Sequence, residues 1–136
     1  MKSLIVIAAA LLLIMVPSQT TRTVWDGVYT EGQSKRGQAT FIQNCSACHG
    51  EDFNGGEIAP ALFGVNFMAN WNGLTVGDLA ERIRNSMPPD NPEKITREQR
   101  ADIVTAILAA NSFPTGRTEL DSRTEVMKQI KIEMKK

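Results

Sequence analysis

The sequence predicts an all-α domain whose helices are joined by long Gly/Pro-rich loops. Three observations lead there. Two segments open with a hydroxyl residue followed three positions later by a carboxylate or amide, Thr75 with Asp78 and Thr96 with Gln99, the reciprocal N-terminal box of a helix. Apolar residues after each box recur at helical spacing. Nowhere does a convincing apolar/polar alternation mark a strand.

In chain order, Lys2 precedes an unbroken apolar run of 13 residues, 4–16, followed by Pro17 and Ser18. That pattern matches a secretory signal peptide over residues 1–20, and the run is shorter than the ~20 residues that span a bilayer as a helix. Residues 21–30 form an N-terminal arm. A first helix is expected over residues 31–45, with Gly37 and Phe41 four apart on one face. Breakers then crowd residues 50–73 (Gly55, Gly56, Pro60, Gly64, Asn72, Gly73), so a long loop is expected; loops of that length in a small domain usually wrap something. The middle helix begins at the Thr75 cap, buries Val76, Leu79 and Ile83, and stops after Met87 at Pro88 and Pro89. The last helix runs from the Thr96 cap to about Asn111, with Ile103, Val104, Ile107 and Leu108 as its buried stripe.

Cys45, Cys48 and His49, the two cysteines and the one histidine of the chain, fall within five residues, Cys45-Ser46-Ala47-Cys48-His49. C-x-x-C-H is the attachment signature of c-type haem. Both thiols add across haem vinyl groups as thioethers, and the adjacent imidazole becomes the proximal iron ligand. A thioredoxin-like pair would want a βαβ setting, which is missing. A closed zinc site needs four ligands, one more than these residues supply. A plain disulfide between Cys45 and Cys48 remains open. An exporting signal agrees with the haem reading, because c-type haem is attached outside the cytoplasm.

An iron held by one histidine needs a sixth ligand or leaves a position open. Met87 is the leading candidate, 38 residues beyond His49 and held by the stiff stretch Pro88-Pro89-Asp90-Asn91-Pro92. Thioether sulfur favours the ferrous state, raising the potential and suiting electron transfer. The alternative for any lone methionine is core filling. Met68 is a poorer candidate, and Met127 and Met134 belong to the tail.

Charge excludes one class of partner. The whole chain carries 15 basic and 15 acidic residues, whereas phosphate binding wants a basic surplus, so no nucleic acid is expected. Residues 21–116 hold 8 basic and 11 acidic residues, while 117–136 hold 6 and 4. In that tail, residues 114–136, Met127, Ile130 and Met134 share one helical face. It is expected to be a charged tail or helix that packs on its own domain, docks a partner, or frays.

Together, "CSACHG" after a Gly/Phe-bearing helix, "IAPAL" in the loop, "SMPPDNP" and the C-terminal amphipathic helix resemble a class I monohaem cytochrome c over most of residues 31–113. The resemblance implies the small cytochrome c fold wrapped around one covalently bound haem c, with the first and last helices crossing at Gly37 and Phe41 packing on Ile103. It implies that the Pro60 carbonyl accepts a hydrogen bond from Nδ1 of His49, fixing the ring, and that Met87 completes His/Met ligation. Trp71, beside Asn70, lies where such proteins place a donor to a haem propionate; an aromatic core residue is the equal alternative. The family often has an aromatic residue where Ala106 stands, so Phe113 is a candidate to fill that gap. Residues 25–29 and "SMPPDNP" resemble small cytochromes that serve quinoprotein dehydrogenases, although Trp25 and Tyr29 are better read as cover for the core.

The implied function is a periplasmic or secreted carrier, not an enzyme, shuttling single electrons between a dehydrogenase donor and a respiratory acceptor, an oxidase or another cytochrome. Membrane association is not expected once the signal is removed. Two alternatives stand beside it. One is a haem-bearing, electron-accepting subunit of a quinoprotein dehydrogenase complex. The other is a haem sensor or enzyme with a labile sixth ligand.

Overall fold

Helix α1, Glu31–Asn44, starts where the Thr30 hydroxyl accepts from the Gln33 backbone N–H, as a side-chain cap should. The computed structural model describes residues 21–135; the expected signal peptide, residues 1–20, lies outside the described residues. Among them, no helix is long and apolar enough to cross a membrane. α2 is the single turn Ser46–His49, and α3 spans Gly64–Trp71. α4, Val76–Ser86, and α5, Arg97–Ala110, both open with the full reciprocal box, Thr75/Asp78 and Thr96/Gln99. A short 3-10 turn, Pro92–Lys94, joins them. The described residues are mostly helical, in keeping with the all-α class expected from the sequence.

The main helix–helix contact is α1 on α5. Gly37 makes it possible, because a β-carbon there would stand 1.7 Å from the carbonyl oxygen of Asp102. Phe41, Ile103, Val104, Ile107 and Leu108 are buried in one core. At the edge of the same contact, Arg36 bridges Asp102 at 3.2 Å and Glu119 at 2.9 Å.

Two sequence expectations are corrected. The stretch 50–73 is not loop throughout, since α3 occupies its second half and buries Phe67. The helical face expected through Met127, Ile130 and Met134 does not form. Only α6, Thr124–Met127, is helical; Ile130–Lys131 then forms strand β2, parallel to β1 at Arg22–Thr23. Phe113 is buried in the same core as Ala106. It packs edge-on against Trp25, ring centroids 4.9 Å apart, and its carbonyl accepts from the Tyr29 hydroxyl at 2.6 Å. Trp25 and Tyr29 therefore do cover the core.

The tail clasps its own domain. Leu120, Met127, Ile130 and Ile132 are buried. Gln33, itself buried, donates to the Leu120 carbonyl at 3.0 Å and accepts from the Leu120 N–H at 2.7 Å. Ile132 exchanges backbone bonds with the 73–74 turn, and the Trp25 indole N–H donates to the Glu133 carbonyl at 2.8 Å.

Candidate haem site

The two thiols and the imidazole are delivered by the junction of α1 and α2. Cys45 ends α1, its N–H bonding back to the Phe41 carbonyl at 2.7 Å. The following turn brings Cys48 and His49 round, with the His49 N–H bonded to the Cys45 carbonyl at 3.0 Å. Both cysteines are free and half-buried. Burial pushes the Cys45 thiol up to about 11, because the thiolate loses hydration there.

His49 is buried, and its Nδ1 lies 2.9 Å from the Pro60 carbonyl oxygen. A carbonyl only accepts, so Nδ1 carries the proton and, in the neutral ring, Nε2 carries the lone pair. The bond fixes both the tautomer and the ring, as partners of metal-bound histidines do. What brings Pro60 there is a tight loop. The Gly55 N–H bonds to the His49 carbonyl at 2.7 Å, and the Gly56 N–H to Ala59 at 2.9 Å. Gly55 has φ +75, and a β-carbon on it would stand 2.5 Å from the Ala61 nitrogen, so this turn requires glycine. The loop is tied to α5 where Asn111 donates to the Leu62 carbonyl at 3.0 Å.

Met87 is the C-cap of α4, extended rather than helical, its N–H still bonded to the Ile83 carbonyl. The segment after it is held at three points. The Asn91 N–H bonds to the Pro88 carbonyl, Ile95 is buried in the core, and Arg100 donates through Nη2 to the Ile95 carbonyl at 3.2 Å. The Met87 and Trp71 side chains are half-buried and pack against the same core cluster as Cys45 and Leu62. Trp71 also stacks with Phe67, centroids 6.2 Å apart. Met68 is half-buried on α3.

This donor set fits a covalently attached haem. Two free thiols adjoin an imidazole with its Nε2 lone pair uncommitted, and a half-buried thioether stands on the same core. The zinc alternative finds no cluster of three or more His, Cys, Asp or Glu side chains among the described residues. Sequence reasoning had no signal for two contributors: Arg100, whose contact spans only the next turn, and Phe53, buried under the loop with φ +64 and stacked on Phe41 at 4.1 Å.

No curated protein and no solved structure matches the chain significantly. A family profile does: Cytochrome C oxidase, cbb3-type, subunit III, over residues 32–105, more than half of the chain. The match covers the C-x-x-C-H turn, the 50–73 segment, α4, Met87 and most of α5. The chain therefore belongs to this family of c-type cytochrome domains, and is a haem-bearing electron-transfer protein with its haem c covalently bound.

Proposed function

We propose that the protein is an exported one-electron carrier in which Cys45 and Cys48 hold the haem by thioether bonds and His49 and Met87 are the axial ligands. The observation that carries the reading is the 2.9 Å contact between His49 Nδ1 and the Pro60 carbonyl. It presents Nε2 as the ligating nitrogen and strengthens its donation. Bound haem supplies a reversible one-electron iron couple. The chain's own residues do the rest. Met87 offers a soft sulfur that favours the reduced state and occupies the position a small ligand would take. The anchored segment from Pro88 to Ile95 keeps that sulfur in place through the redox cycle. Trp71 is the candidate donor to a propionate.

In this reading the carrier works outside the cytoplasm, after removal of residues 1–20, between a dehydrogenase and a respiratory acceptor. The family's own description as an oxidase subunit supports an oxidase on the acceptor side. The quinoprotein-dehydrogenase association rests on the likeness of residues 25–29 and "SMPPDNP" to such cytochromes.

Optical spectra of the protein from a haem-c-maturing host test the reading. Low-spin bands in both oxidation states and a near-infrared sulfur-to-iron band are expected, with haem retained by the chain after acid denaturation. A high-spin spectrum would overturn the Met87 assignment and favour a sensor or enzyme. Haem extracted by acid would overturn the thioether attachment.

A further inference from the structure

Where α1 crosses α5, the surface opens into a cleft of about 550 Å³. Ala106, Ala109 and Ala110 of α5 and Phe53 give it a small apolar floor, and Ser34 and Gln38 of α1 give it a polar flank. Ile42 and Phe63 line it while 41 % and 38 % exposed. Apolar side chains gathered around a concavity are a common mark of an interaction surface. One rim is acidic. Glu51 and Asp52 are exposed and border the cleft, and neither has an ionic partner among the described residues. The other rim charge, Lys35, is already answered by Glu31 at 2.7 Å.

The cleft connects to the proposed proximal ligand. Phe53 stacks on buried Phe41 with ring centroids 4.1 Å apart, and the Phe41 and His49 ring centroids are 6.4 Å apart. Phe53 holds this place with a left-handed backbone, φ +64, a conformation unfavourable for an aromatic residue and typical of functional positions. Electron tunnelling weakens steeply with every gap in packing, so a short series of neighbouring rings is a competent path.

We propose that this cleft is a docking surface for a redox-protein partner that presents an apolar knob ringed by basic residues, and that Phe53 and Phe41 link it to His49. It gives the carrier an electron port on the His49 side, separate from the Met87 side. The proposal rests on the reading of His49 as an axial ligand. An apolar knob fits the alanine floor, and the basic ring answers Glu51 and Asp52, which steer its approach.

Tris(1,10-phenanthroline)cobalt(III), an apolar aromatic cation, is the probe. One electron leaves the reduced holoprotein and converts cobalt(III) to cobalt(II). Ala109→Arg, which fills the cleft from an exposed helical position, should slow this oxidation about tenfold, and Glu51→Gln with Asp52→Asn about threefold at low salt. Oxidation by ferricyanide, an anion, should not slow in the Glu51/Asp52 variant. In nuclear magnetic resonance, the redox-inert chromium(III) analogue should broaden Ile42, Phe53 and Ala109. Unchanged cobalt rates in both variants, or broadening confined to the Met87 side, would overturn the proposal. So would cleft signals that move with protein concentration alone, which would assign the cleft to a second copy of the chain. Spectra of the same samples report separately on His49 and Met87, and the chromium mapping reads the cleft whatever they show.

Discussion

Gly37 lies against the backbone of Asp102 so closely that a β-carbon at 37 would sit 1.7 Å from its carbonyl oxygen and 3.1 Å from the Ile103 nitrogen. Both obstructing atoms are backbone, so no side-chain rotation relieves the clash. Gly37→Ala must push α1 off α5, and a loss at the upper end of the ~1–3 kcal/mol of overpacking substitutions is expected. Urea titration of the holoprotein measures it; a midpoint equal to wild type would mean that the two helices separate freely.

Met87→Ala should leave haem covalently attached while abolishing the sulfur-to-iron band, lowering the reduction potential and opening the iron to added imidazole. Ile95 and Arg100 still anchor the neighbouring segment, so the loss should be local. Potentiometry alongside imidazole titration checks this, and an unchanged potential would refute the ligand assignment.

Removal of residues 117–136 should be far more damaging than loss of a surface tail. It strips away Leu120, Met127, Ile130 and Ile132, all at most 5 % exposed, each worth ~1.5–3 kcal/mol of burial. That is a large share of the ~5–15 kcal/mol by which domains are stable. It also leaves the buried Gln33 amide without the two Leu120 partners that satisfy it. Thermal melting followed by circular dichroism should show a lower, broader transition; an unchanged melt would contradict the clasp.

Burial raises the pKa of the Tyr29 hydroxyl above its ordinary value. The unfolded chain therefore loses this proton first as pH rises past about 10, and stability falls from there until the folded-state pKa is passed. Below pH 10 the tyrosine contributes its full stability, including the 2.6 Å bond to the Phe113 carbonyl. Tyr29→Phe should cost ~1–3 kcal/mol at neutral pH by leaving that carbonyl unpaired and should flatten the alkaline decline. Stability measured from pH 8 to 11 separates the two effects.

Much of this was legible in residue order because the signals were local. Thr75/Asp78 and Thr96/Gln99 form the boxes that their spacing announces, and the buried stripe of α5 falls where its period places it. The C-x-x-C-H turn identified the haem chemistry without any tertiary information. What escaped was set by contacts distant in sequence. α3 is short and bracketed by glycines and asparagines, so its breakers outweighed its apolar content. In the tail, Met127, Ile130 and Met134 satisfy a helical period, but Ile132 falls between them and is fully buried. The pairing of β2 with β1, over a hundred residues away, decided the outcome. Phe53 carried no local sign of its stacking on Phe41.

The parallel pairing of Arg22–Thr23 with Ile130–Lys131 also orders events in time. A chain made from its N-terminus cannot close this pair until residue 131 has emerged, whereas Cys45, Cys48 and His49 have by then been present for some eighty residues of synthesis. Until then these three side chains sit on a domain that is not yet latched at its two ends. The clasp is the last of the chain's contacts to become possible, so its two ends close around a body whose other elements are already present.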